Sequence, residues 1–325
     1  MPSRRAVLSS ATAATLTAAG LTACSPAAPA AGDAPAGAGG TAGAFPRTVE
    51  HELGTTELAR RPERVVCATD GAELCSLLAL GVRPVGFGQR NDPLRPWVRD
   101  LARGVPSYPL AEETNFEQLA GWAPDLVLVQ RGFADTGNLA TYSAVAPTVV
   151  TSFIDWRTNL EQVGRAVGRE QEAAERTVAT DAAVAETAAA LTARARALTV
   201  RTVAAFDDGS LYVLNDQSPA GRVAAAMGLP GLPAATTDGE AVEVLSAEQL
   251  VQLESDLLVL LDFGAGRAAT DALRAREAFQ QLEVVRAGHV VELDEEQSNQ
   301  LYFDSVLTVE PNAALLARLV TDAVA

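Results

Sequence analysis

Glu117-Gln-Leu119, followed by Asp125-Leu-Val-Leu-Val129, returns later in the chain as Glu248-Gln-Leu250, followed by Asp256-Leu-Leu-Val-Leu260. Glu and Asp are eight residues apart in both copies. Each copy reads as a short amphipathic helix dropping into a buried strand, so each half carries the same unit. The repeat is too long for a solenoid. Around the first copy, Arg64–Thr69 reads as a strand, Asp70-Gly71 as a turn and Ala72–Leu80 as a helix stopped by Gly81. Val82–Phe87 and Pro147–Val150 read as further strands. Around the second copy, Val200–Phe206 and Leu211–Leu214 flank an Asp207-Asp208-Gly209 turn and read as a hairpin. Pro219–Met227 is a predicted helix, His289–Leu293 a strand and Val306–Val324 a closing helix. Short apolar strands alternating with helices indicate βαβ units and mostly parallel sheets.

Between the halves, residues 157–197 are rich in Ala, Glu, Arg and Leu and contain no Pro. The composition predicts one unbroken helix over 170–197, long enough to run along two lobes. Its apolar positions are mainly Ala, without the Leu or Ile heptads of a coiled coil. The expected fold class is therefore α/β. Two Rossmann-like lobes with mostly parallel sheets, over 59–155 and 199–325, are joined by a long interlobe helix over 156–198. A ligand cleft is expected between them.

The chain starts Met1-Pro-Ser-Arg-Arg-Ala-Val-Leu8, continues with a weakly apolar run broken by Ser and Thr, and reaches Leu21-Thr-Ala-Cys24. Ser3-Arg-Arg5 is similar to a twin-arginine export signal, and Leu21–Cys24 resembles a lipobox whose cysteine is acylated. Residues 1–24 are thus read as a signal peptide with a lipobox. Residues 25–58 are read as a flexible Ala/Pro/Gly tether. Cys24 is the expected lipid site, and the chain is placed outside the cytoplasm on the membrane. In an exported protein Cys67 and Cys75 could pair; the reading adopted is two buried thiols, with the disulfide as the alternative.

The net charge of -16 excludes a nucleic-acid surface. Two histidines, His51 and His289, are too few for a His-rich zinc site, and no Cys cluster serves iron–sulfur chemistry. No Gly-x-Ser-x-Gly elbow, P-loop or His-Glu-x-x-His is present. Gly86-Phe-Gly88 and Gly264-Ala-Gly266 lack the third glycine of a dinucleotide site. No enzyme activity and no resident metal or cofactor are expected.

Five further segments, in order, carry a family resemblance. They are Arg64–Thr69 with Leu77–Gly86, Asn115–Leu119 with Ala123–Leu128, Ala146–Val150, Trp156–Leu160 with Ala166–Glu170, and Ala287–Val291. Over about residues 60–320 the chain resembles the class III periplasmic binding proteins of ABC importers, the ferric-siderophore and vitamin B12 binders. The resemblance implies two α/β lobes, a rigid connecting helix and a cleft. It also implies a monomer that captures a ferric siderophore and delivers it to an ABC permease. A corrinoid or haem binder, or a tethered sensor of the same fold, stands as the alternative.

Ligands in open α/β sheets bind beyond the C-terminal strand ends. Those ends supply Thr69, Gln89, Arg90, Gln130, Arg131, Asn215 and Asp262-Phe263, with Trp156 just after a strand. Arg forks and aromatic faces suit the oxygens and organic body of a chelate. The expected ligand residues are Arg90, Arg131 and Trp156, then Tyr212, Tyr302, Gln89, Gln130 and Thr69. Permease docking in the family uses acidic residues on the lobe tips, and the candidates here are Asp135, Asp271, Glu117 and Glu248.

Overall fold

The computed structural model describes residues 44–110, 114–152, 155–230, 232–234, 241–263 and 267–325. The export signal, Cys24 and most of the expected tether lie outside the described residues. The described chain opens with a hairpin, β1 (Arg47–His51) and β2 (Gly54–Leu58), in antiparallel register. The tether expected over 25–58 therefore ends before Arg47. Val49 and Leu58 are buried, and Thr56 Oγ1 donates to the carbonyl of Thr148, so the hairpin is fastened to the first lobe.

The first sheet contains β3 (Val65–Cys67), β4 (Gly86–Gln89), β5 (Ser107–Pro109), β6 (Leu126–Gln130) and β7 (Thr148–Thr151). Its order is β5-β4-β3-β6-β7, and every pairing is parallel. Covered on both faces, its central strands are apolar throughout: Val65–Cys67 and Leu126–Val129 are buried without exception. β4 begins later than the sequence predicts because Pro84 has no N–H to give the ladder. Cys67 and Cys75 are separate, buried thiols.

The second sheet is mixed. It contains β8 (Val200–Ala205), β9 (Leu211–Leu214), β10 (Val242–Leu245), β11 (Leu257–Leu261) and β12 (Val290–Glu292), in the order β10-β9-β8-β11-β12. β8, β11 and β12 are parallel, and β9 turns back from β8 as the expected hairpin. Gly209 takes φ +82° in its turn, and Asp208 Oδ1 accepts the Ser210 N–H at 2.9 Å.

The connection between the lobes is not one rod. The helix Trp156–Val167 ends at Gly168, which takes φ +68°. A second helix, Glu170–Ala189, runs about 30 Å. A short third, Ala193–Arg196, starts where Thr192 Oγ1 accepts the Ala195 N–H. The single helix expected over 170–197 is thus broken by a side-chain cap that composition alone does not reveal. The closing helix Val309–Asp322 packs on Glu170–Ala189. One buried apolar cluster runs unbroken from Val65, Leu74 and Phe87 in the first lobe, through Leu160 and Val163, to Leu214, Val223 and Leu316 in the second.

The repeated phrase has a physical role. Asp125, just ahead of β6, accepts the N–H groups of Glu63 and Arg64, the latter at 2.8 Å, and its own N–H reaches the Arg64 carbonyl at 3.0 Å. Asp256, just ahead of β11, accepts the Thr199 N–H at 2.8 Å and its hydroxyl at 2.7 Å, and its N–H reaches the Thr199 carbonyl at 3.1 Å. Each aspartate pins the residue that opens the neighbouring strand, β3 or β8, and so sets the register of the lobe's two central strands. Asp125→Ala is expected to lower stability by about 1–3 kcal/mol. The more exposed Asp256→Ala should lower it by less. Urea midpoints measured at constant slope check both, and an unmoved midpoint for Asp125→Ala would refute the pinning role.

Candidate functional site

The five strands of the first sheet run one way, so their C-terminal ends line one edge. The second sheet presents the ends of β8, β11 and β12. A run of rings joins the two edges. Phe263, two residues beyond β11, meets Tyr302 edge-on at 5.4 Å. The next residue, Phe303, lies 5.5 Å from Trp97, which belongs to the loop after β4. Phe263, Tyr302, Phe303 and Trp97 therefore span the two edges. Tyr302 is 47% exposed, so much of its ring is open to a ligand.

At the foot of the first lobe the polar groups are crowded. Thr69 is buried, donates its hydroxyl to Glu73 Oε1 and accepts the Gly71 N–H at 3.0 Å. A Cβ on Gly71 would meet Gln130 Oε1 at 2.1 Å and Glu73 Oε2 at 2.6 Å, so a side chain there would have to displace both. Thr69 and Gln130, both expected at the site, are thus brought together around Gly71. Glu73 is wholly buried, and desolvation lifts its carboxyl to about 8, against the pull of the Thr69 hydrogen bond. It is protonated at neutral pH.

Above them stand cations. Arg90 is exposed, with its guanidinium 5.6 Å from the Phe133 ring centroid. Gln89, beside it, donates to the Asn91 carbonyl and accepts from Ser107 Oγ. Arg131 is engaged with the hairpin: its Nε lies 3.3 Å from Glu52 Oε2, and a terminal nitrogen donates to the Ala134 carbonyl at 2.9 Å. Arg95 was not among the expected residues. Its guanidinium lies 4.4 Å from the centroid of Phe303 and 5.8 Å from that of Trp97. The signal was present in Arg90-Asn-Asp-Pro-Leu-Arg-Pro-Trp97, a proline-stiffened loop with a second Arg beside a Trp.

Trp156 departs from expectation. It is only 4% exposed and lies in the seam between the lobes, with Arg157 4.4 Å over its ring, so its surface serves packing and not a ligand. A cavity of about 20 Å³ in that seam is lined by Trp156, Arg222, Asp304 and Thr308 among others. Asp304, on the segment between the last two helices, accepts a hydrogen bond from Arg222 at 2.5 Å and faces the Trp156 N–H. Burial lifts its carboxyl to about 6, opposed by Arg222. Asp155 caps the same helix end through the N–H groups of Arg157 and Thr158.

The remaining expected residues scatter. Tyr212 lies opposite Ala204 and pairs with Phe206 at 4.5 Å, forming a separate aromatic pair near the β8 end of the second edge. Asn215 is at the opposite edge, because β9 is antiparallel and carries it level with the start of β8. Asp135 turns back on its own loop, accepting from Gly137 and Asn138. Asp271 lies exposed on the helix Arg267–Arg274. Glu117 and Glu248 are exposed in matched positions, in the first turns of the segments leading into β6 and β11. His51 is held in the hairpin, its Nε2 3.1 Å from Thr56 Oγ1. His289 precedes β12, at the edge away from the cleft. Among the described residues no group of His, Cys, Asp and Glu could hold a metal ion.

The sequence pattern of the family described as periplasmic binding protein matches residues 66–297, most of the chain and both sheets. The chain belongs to that family. Its fold is that of the class III members. The binding protein is 33% identical to the probable siderophore-binding lipoprotein YfiY of Bacillus subtilis over 129 residues, spanning 38% of this chain and 39% of YfiY. It is 24% identical to the putative ABC transporter substrate-binding lipoprotein YhfQ of the same organism, over 76% of this chain and 80% of that one. Among solved structures, a periplasmic solute binding protein of Mycobacterium smegmatis superposes with TM-score 0.72 at 21% identity, covering 86% of this chain and 98% of the other. Staphylococcus aureus SirA, solved with staphyloferrin B, gives TM-score 0.68 at 19% identity, with the same coverage.

Glu73 gives the binding protein a pH signature. Its folded pKa of about 8 lies above the 4.5 of an ordinary solvated glutamate, so folding takes up a proton between those values. Its stabilising contribution is whole below the lower value and is lost as pH rises through the upper. Asp304 adds the same sign over a more acid interval. Glu73→Gln, isosteric and uncharged, is expected to flatten the loss of stability between pH 5 and pH 9. Urea midpoints for the two proteins that fall in parallel across that range would contradict this.

Proposed function

We propose that the chain is an extracytoplasmic binding lipoprotein that captures a ferric siderophore and delivers it to an ABC permease. The observation that carries this reading is the set of rings and guanidinium groups where the two strand edges meet. Two strand edges face each other across a run of aromatic rings, with guanidinium groups on one wall. Rings offer flat contact to an organic chelator, and Arg forks offer donors to its oxygens. The protein need not touch the iron, which is cargo held by its own chelator. YfiY is named as a probable siderophore binder, which supports the same reading. Of the expected ligand residues, Arg90, Arg131, Gln89 and Tyr302 stand open enough to take part, and Phe263, Phe303 and Arg95 join them. Thr69 and Gln130 support the floor from below.

For delivery, Glu117 and Glu248 are the preferred docking pair, since the repeat gives each lobe one exposed carboxylate in the same setting. Binding of a corrinoid or haem is the competing reading. A haem iron would take its axial ligand from Tyr302, because neither histidine approaches the cleft.

Three tryptophans are present, and Trp97 borders the cleft. Titration of the chain with ferric siderophores is expected to quench its intrinsic fluorescence to saturation, while haem and cobalamin leave no stoichiometric absorption change. The reverse pattern would replace the siderophore with a tetrapyrrole. The membrane attachment is a second, separate matter. Cys24→Ser is expected to release the protein from the membrane fraction on cell lysis; its continued sedimentation with membranes would dismiss the lipobox.

A further inference from the structure

We propose that the cleft selects chelates of net negative charge, and that Arg95 is the residue that reads that charge. The inference rests on the siderophore-binding reading and narrows it to a class.

Arg95 is an unusual cation. It opens the short helix Pro96–Arg99, whose Trp97 ring lies to one side of its guanidinium, while Phe303 of the second lobe lies to the other. Among the described residues its side chain makes no ion pair or hydrogen bond. Burial lowers its affinity for its proton and Arg90 adds positive charge nearby, while the Asp70 carboxylate opposes both from a distance. Two aromatic faces stabilise a guanidinium, yet they satisfy none of its five N–H groups. A half-buried fork with its donors open is completed by oxygen acceptors carrying negative charge.

The neighbouring carboxylates do not supply them. Asp70 Oδ2 accepts both the N–H and the side-chain amide of Asn91, at 3.0 and 2.9 Å. Asp304 is held by Arg222, and Asp262 also has a partner. Glu73 is uncharged at neutral pH. Arg131, by contrast, already has Glu52 beside it, so its charge is partly met. Arg90 and Arg95 are therefore the cations of this wall whose side chains have no carboxylate in ion-pair contact among the described residues. The sequence contains no Lys, so every side-chain cation of this wall is a planar fork matched to carboxylate and catecholate oxygens. Arg95 also touches a ring from each lobe, which places it where a chelate bridging the lobes must pass.

The test uses the full chain in detergent and four probes of different charge. Ferric enterobactin and ferric staphyloferrin B are anionic, ferrichrome is neutral and ferrioxamine B is cationic. Affinities come from fluorescence quenching at two salt concentrations. At least one anionic chelate is expected to bind about tenfold or more tightly than either of the others, with an advantage that shrinks in high salt. Arg95→Gln should erase about tenfold of that affinity and narrow the gap between anionic chelates and ferrichrome, while Arg95→Lys restores part of it. Thermal denaturation of both variants checks that they fold. Tighter binding of ferrichrome or ferrioxamine B, or an Arg95→Gln variant that keeps its preference, overturns the charge selection and leaves siderophore binding intact. Failure of all four probes to bind overturns the function itself, and the selection with it.

Discussion

The arrangement depends on one buried carboxylate. Asp304 sits at the seam of the lobes, with Arg222 of the second lobe on one side and the first turn of the helix Trp156–Val167 on the other. A charge in that position must be met from both lobes at once, because burial raises the cost of leaving it unmet. The contact ties the exit of the first sheet to a helix of the second. From this tie follow the facing of the two strand edges, the meeting of Phe303 with Trp97, and the setting of Arg95 between them. Shared apolar packing through Leu160, Val223 and Leu316 makes the tie stiff.

The fold was legible where local chemistry repeats. The Glu-Gln-Leu and Asp phrase announced two lobes, and its aspartates prove to do one job twice. Central strands such as Leu126–Gln130 and Leu257–Leu261 could be read because parallel burial makes them continuously apolar. The elements that escaped are those with mixed texture. β5 is Ser107-Tyr-Pro109 on an edge, where a proline costs no ladder bond. β1 and β2 alternate Thr and Glu with single apolar residues, and so resemble tether. The break after Ala189 depends on the Thr192 cap, a local bond within an otherwise uniform helical composition.

The site was legible only in part. Strand ends pointed to Gln89, Arg90, Gln130 and Arg131, because the direction of a parallel strand fixes which end faces a cleft. Residues whose role comes from the other lobe were not readable in this way. Trp156 looked like an exposed aromatic until the seam covered it. Arg95 gains its meaning from Phe303, far away in the chain. Asn215 was misplaced because a strand's C-terminal end is informative only when the strand runs with its neighbours. No single-chain pattern reports these cross-lobe relations.

Gly71 has a consequence for how such a cleft can change over evolutionary time. A methyl group there would have to push aside Gln130, Glu73 and Thr69 together, so change at the foot of the cleft demands concerted change in its neighbours. The rim is different: Arg90 and Arg95 stand in a loop between secondary-structure elements, where replacement disturbs little packing. A lineage carrying this scaffold can therefore acquire a new cargo by exchanging rim side chains one at a time. The crowded base acts as the foundation on which those exchanges are tried.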